Sequence, residues 1–151
     1  LIHGQCMTRL VQHYFIKHII VIDEFTATNS TMKYVVEKIA MPGMKNDVYT
    51  VEEAIDPIRE AIADKVGTMI VFRFPTIARI LFEQIEKLPK SLMIGPVQKR
   101  DNTMTVQDGT YLTAQEIADL DVLDTKGIEI FFQVVPDMKR IEYKDFKNKM
   151  K

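Results

Sequence analysis

His18-Ile19-Ile20-Val21-Ile22-Asp23-Glu24 is the stretch on which the fold turns. The apolar run reads as a short strand, and it closes on two acids. Upstream, Cys6, Met7, Leu10, Val11, Tyr14 and Phe15 recur at helical spacing, so one apolar stripe marks a helix between His3-Gly4 and the strand. Downstream, Asn29-Ser30-Thr31 starts a helix with an apolar face of Met32, Val35, Val36 and Ile39, stopped by Pro42-Gly43. Asp47 to Val51 reads as the next strand. Thr50 with Glu53 then forms a capping-box pattern for a helix through Ala63, where Pro57 predicts a bend or a late start.

The rhythm continues. Thr68 to Phe72 is nearly all apolar, as a strand covered on both faces should be. Pro75-Thr76 opens a helix carrying Ile77, Ile80, Leu81 and Ile85, closed before Pro89, and Ser91 to Ile94 is another strand. Thr103 to Thr113 reads as a paired element turning at Asp108-Gly109. Thr113 with Glu116 repeats the capping box, its helix runs to Lys126-Gly127, and Ile128 to Val135 is the last long strand. Strand and helix in alternation define an α/β fold: a doubly wound, mostly parallel sheet with helices on both faces. Ligands of such sheets collect beyond the carboxyl ends of the strands. His3, Asp23-Glu24, Phe72-Arg73-Phe74 and Gly95-Pro96 are therefore expected along one edge.

Composition narrows the class. The 151 residues, 46% hydrophobic and 27% charged, suit a single globular domain, residues 1–151, with a real core. No apolar run approaches the roughly 20 residues of a membrane span, and nothing resembles a signal peptide. The lone cysteine, Cys6, permits no internal disulfide and suits a reducing compartment, so a cytoplasmic location is expected. A formal net charge of −1 argues against nucleic acid as partner. Lys139 to Lys151 holds six basic residues against two acids and reads as a solvated terminal face.

The segment Leu1-Ile2-His3-Gly4-Gln5, the helix after it, and the strand ending on Asp23-Glu24 resemble the IIB component of the mannose/fructose/sorbose family of the bacterial sugar phosphotransferase system. The resemblance continues in register through Ala27 and Asn29, Ala40-Met41-Pro42-Gly43, Val51-Glu52-Glu53-Ala54, Phe72-Arg73-Phe74-Pro75, Ile94-Gly95 and Gly127-Ile128-Glu129. It implies that His3 carries a phosphoryl group. It also implies a IIA phosphohistidine as donor, and as acceptor a sugar presented by membrane IIC and IID components, which are the chain's only link to a membrane. The implied activity is that of a protein-phosphohistidine:sugar phosphotransferase, and no cofactor or metal is called for. The family begins with a strand and an Arg-Ile-Asp-Asp-Arg segment before this motif. The first strand is therefore expected upstream of Leu1, and the domain is expected to be N-terminally incomplete here. Gly95-Pro96 stands where relatives commonly carry two glycines, and Arg9-Leu10 lies near a tryptophan of many relatives.

The chemistry asked of His3 follows from its place. A neutral imidazole is a good nucleophile toward phosphorus, and a helix N-terminus disfavours its protonated form. The backbone N–H groups of Gly4, Gln5 and Cys6, which lack intrahelical partners, are expected to bind the phosphate. Asp23, Glu24, Phe72, Arg73 and Gly95 are candidate site-lining or partner-contact residues, although strand-end acids and a loop arginine are often simply solvated. His13 and His18 match nothing in the motif and read as surface or packing residues. Asn29-Ser30-Thr31 fits a glycosylation sequon but is better explained as a helix cap. The alternative is a non-catalytic regulatory or binding α/β module that kept the fold. A nucleotide-binding domain of flavodoxin type is disfavoured, because neither Gly-x-Gly-x-x-Gly nor Gly-x-x-x-x-Gly-Lys-Ser/Thr occurs.

Overall fold

The computed structural model describes residues 4–151, with side chains from Met7 onward. The chain divides into two compact units, one made of residues up to Arg73 with Glu83–Leu88, the other of Phe74–Phe82 with Pro89–Lys151.

In the first unit the elements run α1 (Gly4–His13), β1 (His18–Ile22), α2 (Glu24–Thr28), α3 (Ser30–Lys38), β2 (Lys45–Tyr49), α4 (Val51–Ala63) and β3 (Thr68–Phe72). The strands pair in the order β2-β1-β3, all parallel, with Ile22 level with both Tyr49 and Phe72. Moving one way across the sheet from β1 to β2, and the other way from β2 to β3, right-handed crossovers send α3 and α4 to opposite faces. The α3 face is filled by Val11, Ile19, Val21 and Val48, with Met7, Val36, Met69 and Val71 packed around them. Alternation turns Ile20 and Ile22, both fully buried, toward the other face. The capping acid and hydroxyl both act as expected at α4: Thr50 Oγ1 accepts from Glu53 N–H, and Glu53 Oε2 accepts from Thr50 N–H. The helix starts at Val51 and runs through Pro57, so the late start is not taken.

Four expectations are corrected here. The first helix ends at His13, and its stripe does not extend to Tyr14 and Phe15, which are exposed. Ile16 N–H reaches back to Val11 O (2.9 Å) and Phe15 N–H to Gln12 O (3.3 Å), a Schellman closure. It forces Phe15 into the left-handed region (φ 55°), where glycine is the usual occupant. The second strand is Lys45–Tyr49, two residues earlier than read, because Thr50 is already committed to the cap. β3 is half-buried along its whole length and not fully covered on both faces. The apolar face of α3 is also largely open: Met32, Val35 and Ile39 are exposed, and Val36 is the one that packs inward. On the outer side of β2, Val48 N–H donates to Glu37 Oε1 of α3 (3.3 Å), and Asn46 Nδ2 donates to Val36 O (3.0 Å).

The second unit holds β4 (Ser91–Ile94), the hairpin β5 (Thr103–Gln107) and β6 (Thr110–Thr113), α6 (Ala114–Thr125), β7 (Glu129–Phe132), β8 (Ile141–Glu142) and α7 (Tyr143–Met150). The helix α5 (Pro75–Gln84) begins in this unit. β4 and β7 are parallel, β8 joins β7 antiparallel, and the hairpin turns at Gly109 with φ 80°. Thr113 and Glu116 make the second capping box. The last strand is shorter than read. Gln133 Nε2 donates to the carbonyls of Pro136 (3.3 Å) and Met138 (2.8 Å), which turns the chain away after Phe132. The basic C-terminus is a helix, with Tyr143 and Phe146 buried against Phe132. Tyr143 Oη donates to Asp121 (2.7 Å), with Ile117 O at 3.1 Å, and Lys147 pairs with the same aspartate. Burial first, and then Asp121, push the Tyr143 phenol far above its ordinary range.

Candidate functional site

The carboxyl ends of β1 and β3 lie side by side, because the two strands are parallel neighbours in register. The next residues, Asp23 and Arg73, form an ion pair: Arg73 Nε donates to Asp23 Oδ1 at 3.1 Å. Asp23 is also the N-cap of α2, its Oδ2 accepting from both the N–H and the hydroxyl of Thr26. That short helix explains why an apolar strand ends on two acids, and sequence periodicity could not show it over five residues. Burial alone would raise the Asp23 pKa, but the two Thr26 hydrogen bonds and the Arg73 guanidinium outweigh it and hold the carboxyl below its usual range. Asp23 is an anchored, ionised group, whereas Arg73 remains about half exposed.

The other expected residues divide. Glu24 Oε1 accepts from Val51 N–H (2.9 Å), so its carboxylate caps the start of α4. Phe72 is the half-buried last residue of β3. Gly95 follows β4 in the second unit, and its carbonyl accepts from the buried Thr110 hydroxyl (3.1 Å). A Cβ there would meet only Gln133 O, at 3.9 Å, so the position has room for a side chain. His3 lies outside the described residues, and so do the side chains of Gln5 and Cys6; the backbone of Gly4 opens α1. His18 is half-buried, with Nε2 2.7 Å from Asp47 Oδ2, which also takes Lys45. His18 therefore serves a structural pair, a partner that its reading as a surface or packing residue did not name. In the second unit, Phe74 lies under the Arg100 guanidinium, which grips Glu116 through both terminal nitrogens at 2.9 Å. Among the described residues, no His, Cys, Asp or Glu cluster is gathered as a metal ion would need. None of their helices is long and apolar enough to cross a membrane.

A parallel α/β sheet with its charged pair at the carboxyl edge defines the class, an α/β protein whose chemistry belongs at the strand ends. The family model described as "PTS system sorbose subfamily IIB component" matches residues 1–151, and the chain belongs to that family, a phosphotransfer component of a sugar phosphotransferase system. It is 25% identical over 150 residues to the mannose-specific EIIAB component of Escherichia coli K12, covering 99% of this chain and 46% of that protein. The chain thus spans about half the length of the curated relatives it matches. The IIBSor domain of the sorbose permease from Klebsiella pneumoniae superposes with a TM-score of 0.90 at 22% identity, covering 100% of this chain and 92% of that one. For manxB from Thermoanaerobacter tengcongensis the TM-score is 0.85 at 26% identity, covering 99% and 90%. The fold read from the sequence is the fold of these domains.

Proposed function

We propose that this chain is a phosphocarrier that takes a phosphoryl group onto His3 from a IIA phosphohistidine and passes it to a sugar presented by membrane IIC and IID components. The observation that carries the reading is the family match across residues 1–151, the Gly4-Gln5 of the Leu1-Ile2-His3-Gly4-Gln5 motif being the first residues of α1. In the first step the lone pair of the His3 imidazole attacks phosphorus. One P–N bond forms while the donor's P–N bond breaks, and the donor imidazole leaves with its electron pair. In the second step a sugar hydroxyl replaces His3, its proton going to solvent or base. Such transfers need positioning and charge neutralisation more than covalent help. The first N–H groups of α1, from Gly4, Gln5 and Cys6, lack intrahelical acceptors and supply part of that neutralisation.

Asp23, Glu24, Phe72 and Arg73 are the accompanying site-lining or partner-contact residues of the first unit, and Gly95 is a candidate partner contact of the second. The chain acts as one IIB domain on the cytoplasmic side of the membrane, reaching the bilayer only through its partners. The test is transfer from a phosphorylated IIA protein to the full-length protein, followed by site mapping. Label on His3 that vanishes in His3→Ala establishes the carrier. Label that persists in that variant, or never appears with several competent donors, refutes it and favours a regulatory module.

A further inference from the structure

We infer that Arg73 is a cation that meets the phosphoryl group in transit, and that Asp23 is the positioning residue that aims it. The inference rests on the phosphocarrier reading and adds the electrostatic half of the site to it. A transferring phosphoryl group carries its charge on peripheral oxygens, so the group that stabilises it must offer several N–H donors from a fixed direction. Arginine does this in a planar fork, provided something holds the fork still.

The structure supplies that hold. Arg73 uses Nε alone on Asp23, at 3.1 Å, and among the described residues Nη1 and Nη2 have no protein partner. The two terminal nitrogens, with four N–H bonds, thus remain for an incoming anion on a guanidinium that is half exposed. Asp23 cannot swing with its partner, because its second oxygen is pinned by the N–H and hydroxyl of Thr26. The result is a cation fixed at the carboxyl edge of two parallel strands. The topology brings the start of α1 to the same edge. α1 packs on the sheet through Met7 and Val11 and is joined to β1 by a four-residue turn, so it runs back along β1 with its first residue toward the strand's end. Glu24, the other acid here, is occupied by Val51 N–H and does not compete for the guanidinium.

The experiment measures His3 phosphorylation in single turnover, over a range of phosphorylated IIA concentrations, in wild type, Arg73→Gln, Arg73→Lys and Asp23→Asn. Arg73→Gln is expected to lower the rate at saturating donor by about 100-fold, as removal of one transition-state donor does, with little change in the donor concentration giving half-maximal rate. Arg73→Lys keeps the charge and loses the fork, so its rate should fall between the two. It also serves as the reading if the glutamine variant does not fold. Asp23→Asn should slow the saturated rate by a smaller factor. A saturated rate in Arg73→Gln within threefold of wild type, or a change confined to the half-saturating concentration, overturns the assignment. Absence of label on wild-type His3 would instead refute the phosphocarrier reading itself, so the two failures are distinguishable.

Discussion

Replacing Gly67 with alanine should destabilise the first unit more than any other single methyl addition at its glycines with a described environment. A Cβ built on Gly67 lies 2.5 Å from Phe15 O and 3.3 Å from Phe15 C. Those atoms are backbone, so no rotamer change relieves the overlap. The clash falls on the knot that ties the turn after α1 to the entry of β3: Gly67 O accepts from Lys17 N–H at 2.8 Å and from His18 N–H at 3.1 Å. Overpacking of this kind costs about 1–3 kcal/mol. If the two backbones part to make room, each weakened hydrogen bond adds about 0.5–1.5 kcal/mol. A loss of about 2–4 kcal/mol is expected. Urea unfolding followed by circular dichroism measures it. With a slope of about 2 kcal/mol/M for a chain of this size, the midpoint should fall by about 1–2 M. A midpoint within about 0.3 M of wild type would refute the steric reasoning, because the structure offers the methyl group no space.

The opposite sign is expected one contact away: Phe15→Gly relieves a left-handed φ on an exposed side chain and should stabilise by about 0.5–1 kcal/mol after the entropy glycine gains when unfolded, seen as a higher urea midpoint. Tyr143→Phe removes the donor to Asp121 and leaves Lys147 alone on that carboxylate, so a loss of about 1–2 kcal/mol should appear in the same assay. Asp23 has a folded-state pKa below its unfolded one, so the stability it contributes is present above about pH 4 and is lost as pH falls through the folded value. The stability gap between wild type and Asp23→Asn should therefore narrow on acidification below about pH 4, and a gap that widened would contradict the ion pair. Thr113→Ala should cost about 1 kcal/mol through the lost cap of α6, measured by thermal melting.

The strand and helix signals were legible where apolar residues run unbroken or repeat at helical spacing, as in β1, β3 and α5. Both capping boxes were legible because their hydrogen bonds are local in sequence. What escaped depends on contacts between distant residues. α2 is a single turn and a half held by Asp23, and five residues give no period to read. The end of β7 is set by one glutamine amide reaching carbonyls three and five residues on, invisible to any hydropathy pattern. α7 was hidden by its lysines, since two buried aromatics among so many charges look like solvated chain until Phe132 and Asp121 are seen opposite them. At the candidate site, Asp23 and Arg73 were each legible as strand-end residues. Their pairing was not, because 50 residues separate them and only the parallel register of β1 and β3 brings them together.

Glu37 has a consequence for how this protein coexists with its own copies. An outer strand normally shows a row of free N–H and C=O groups to which any extended chain can add. Here Val48 N–H, in the middle of β2, is already occupied by a carboxylate from α3. A newcomer strand would have to expel a charged group and then place its own carbonyl beside it. The side chain that looks like an ordinary helix acid thus works as a stopper against sheet growth, and that protection would leave with the carboxylate in Glu37→Ala.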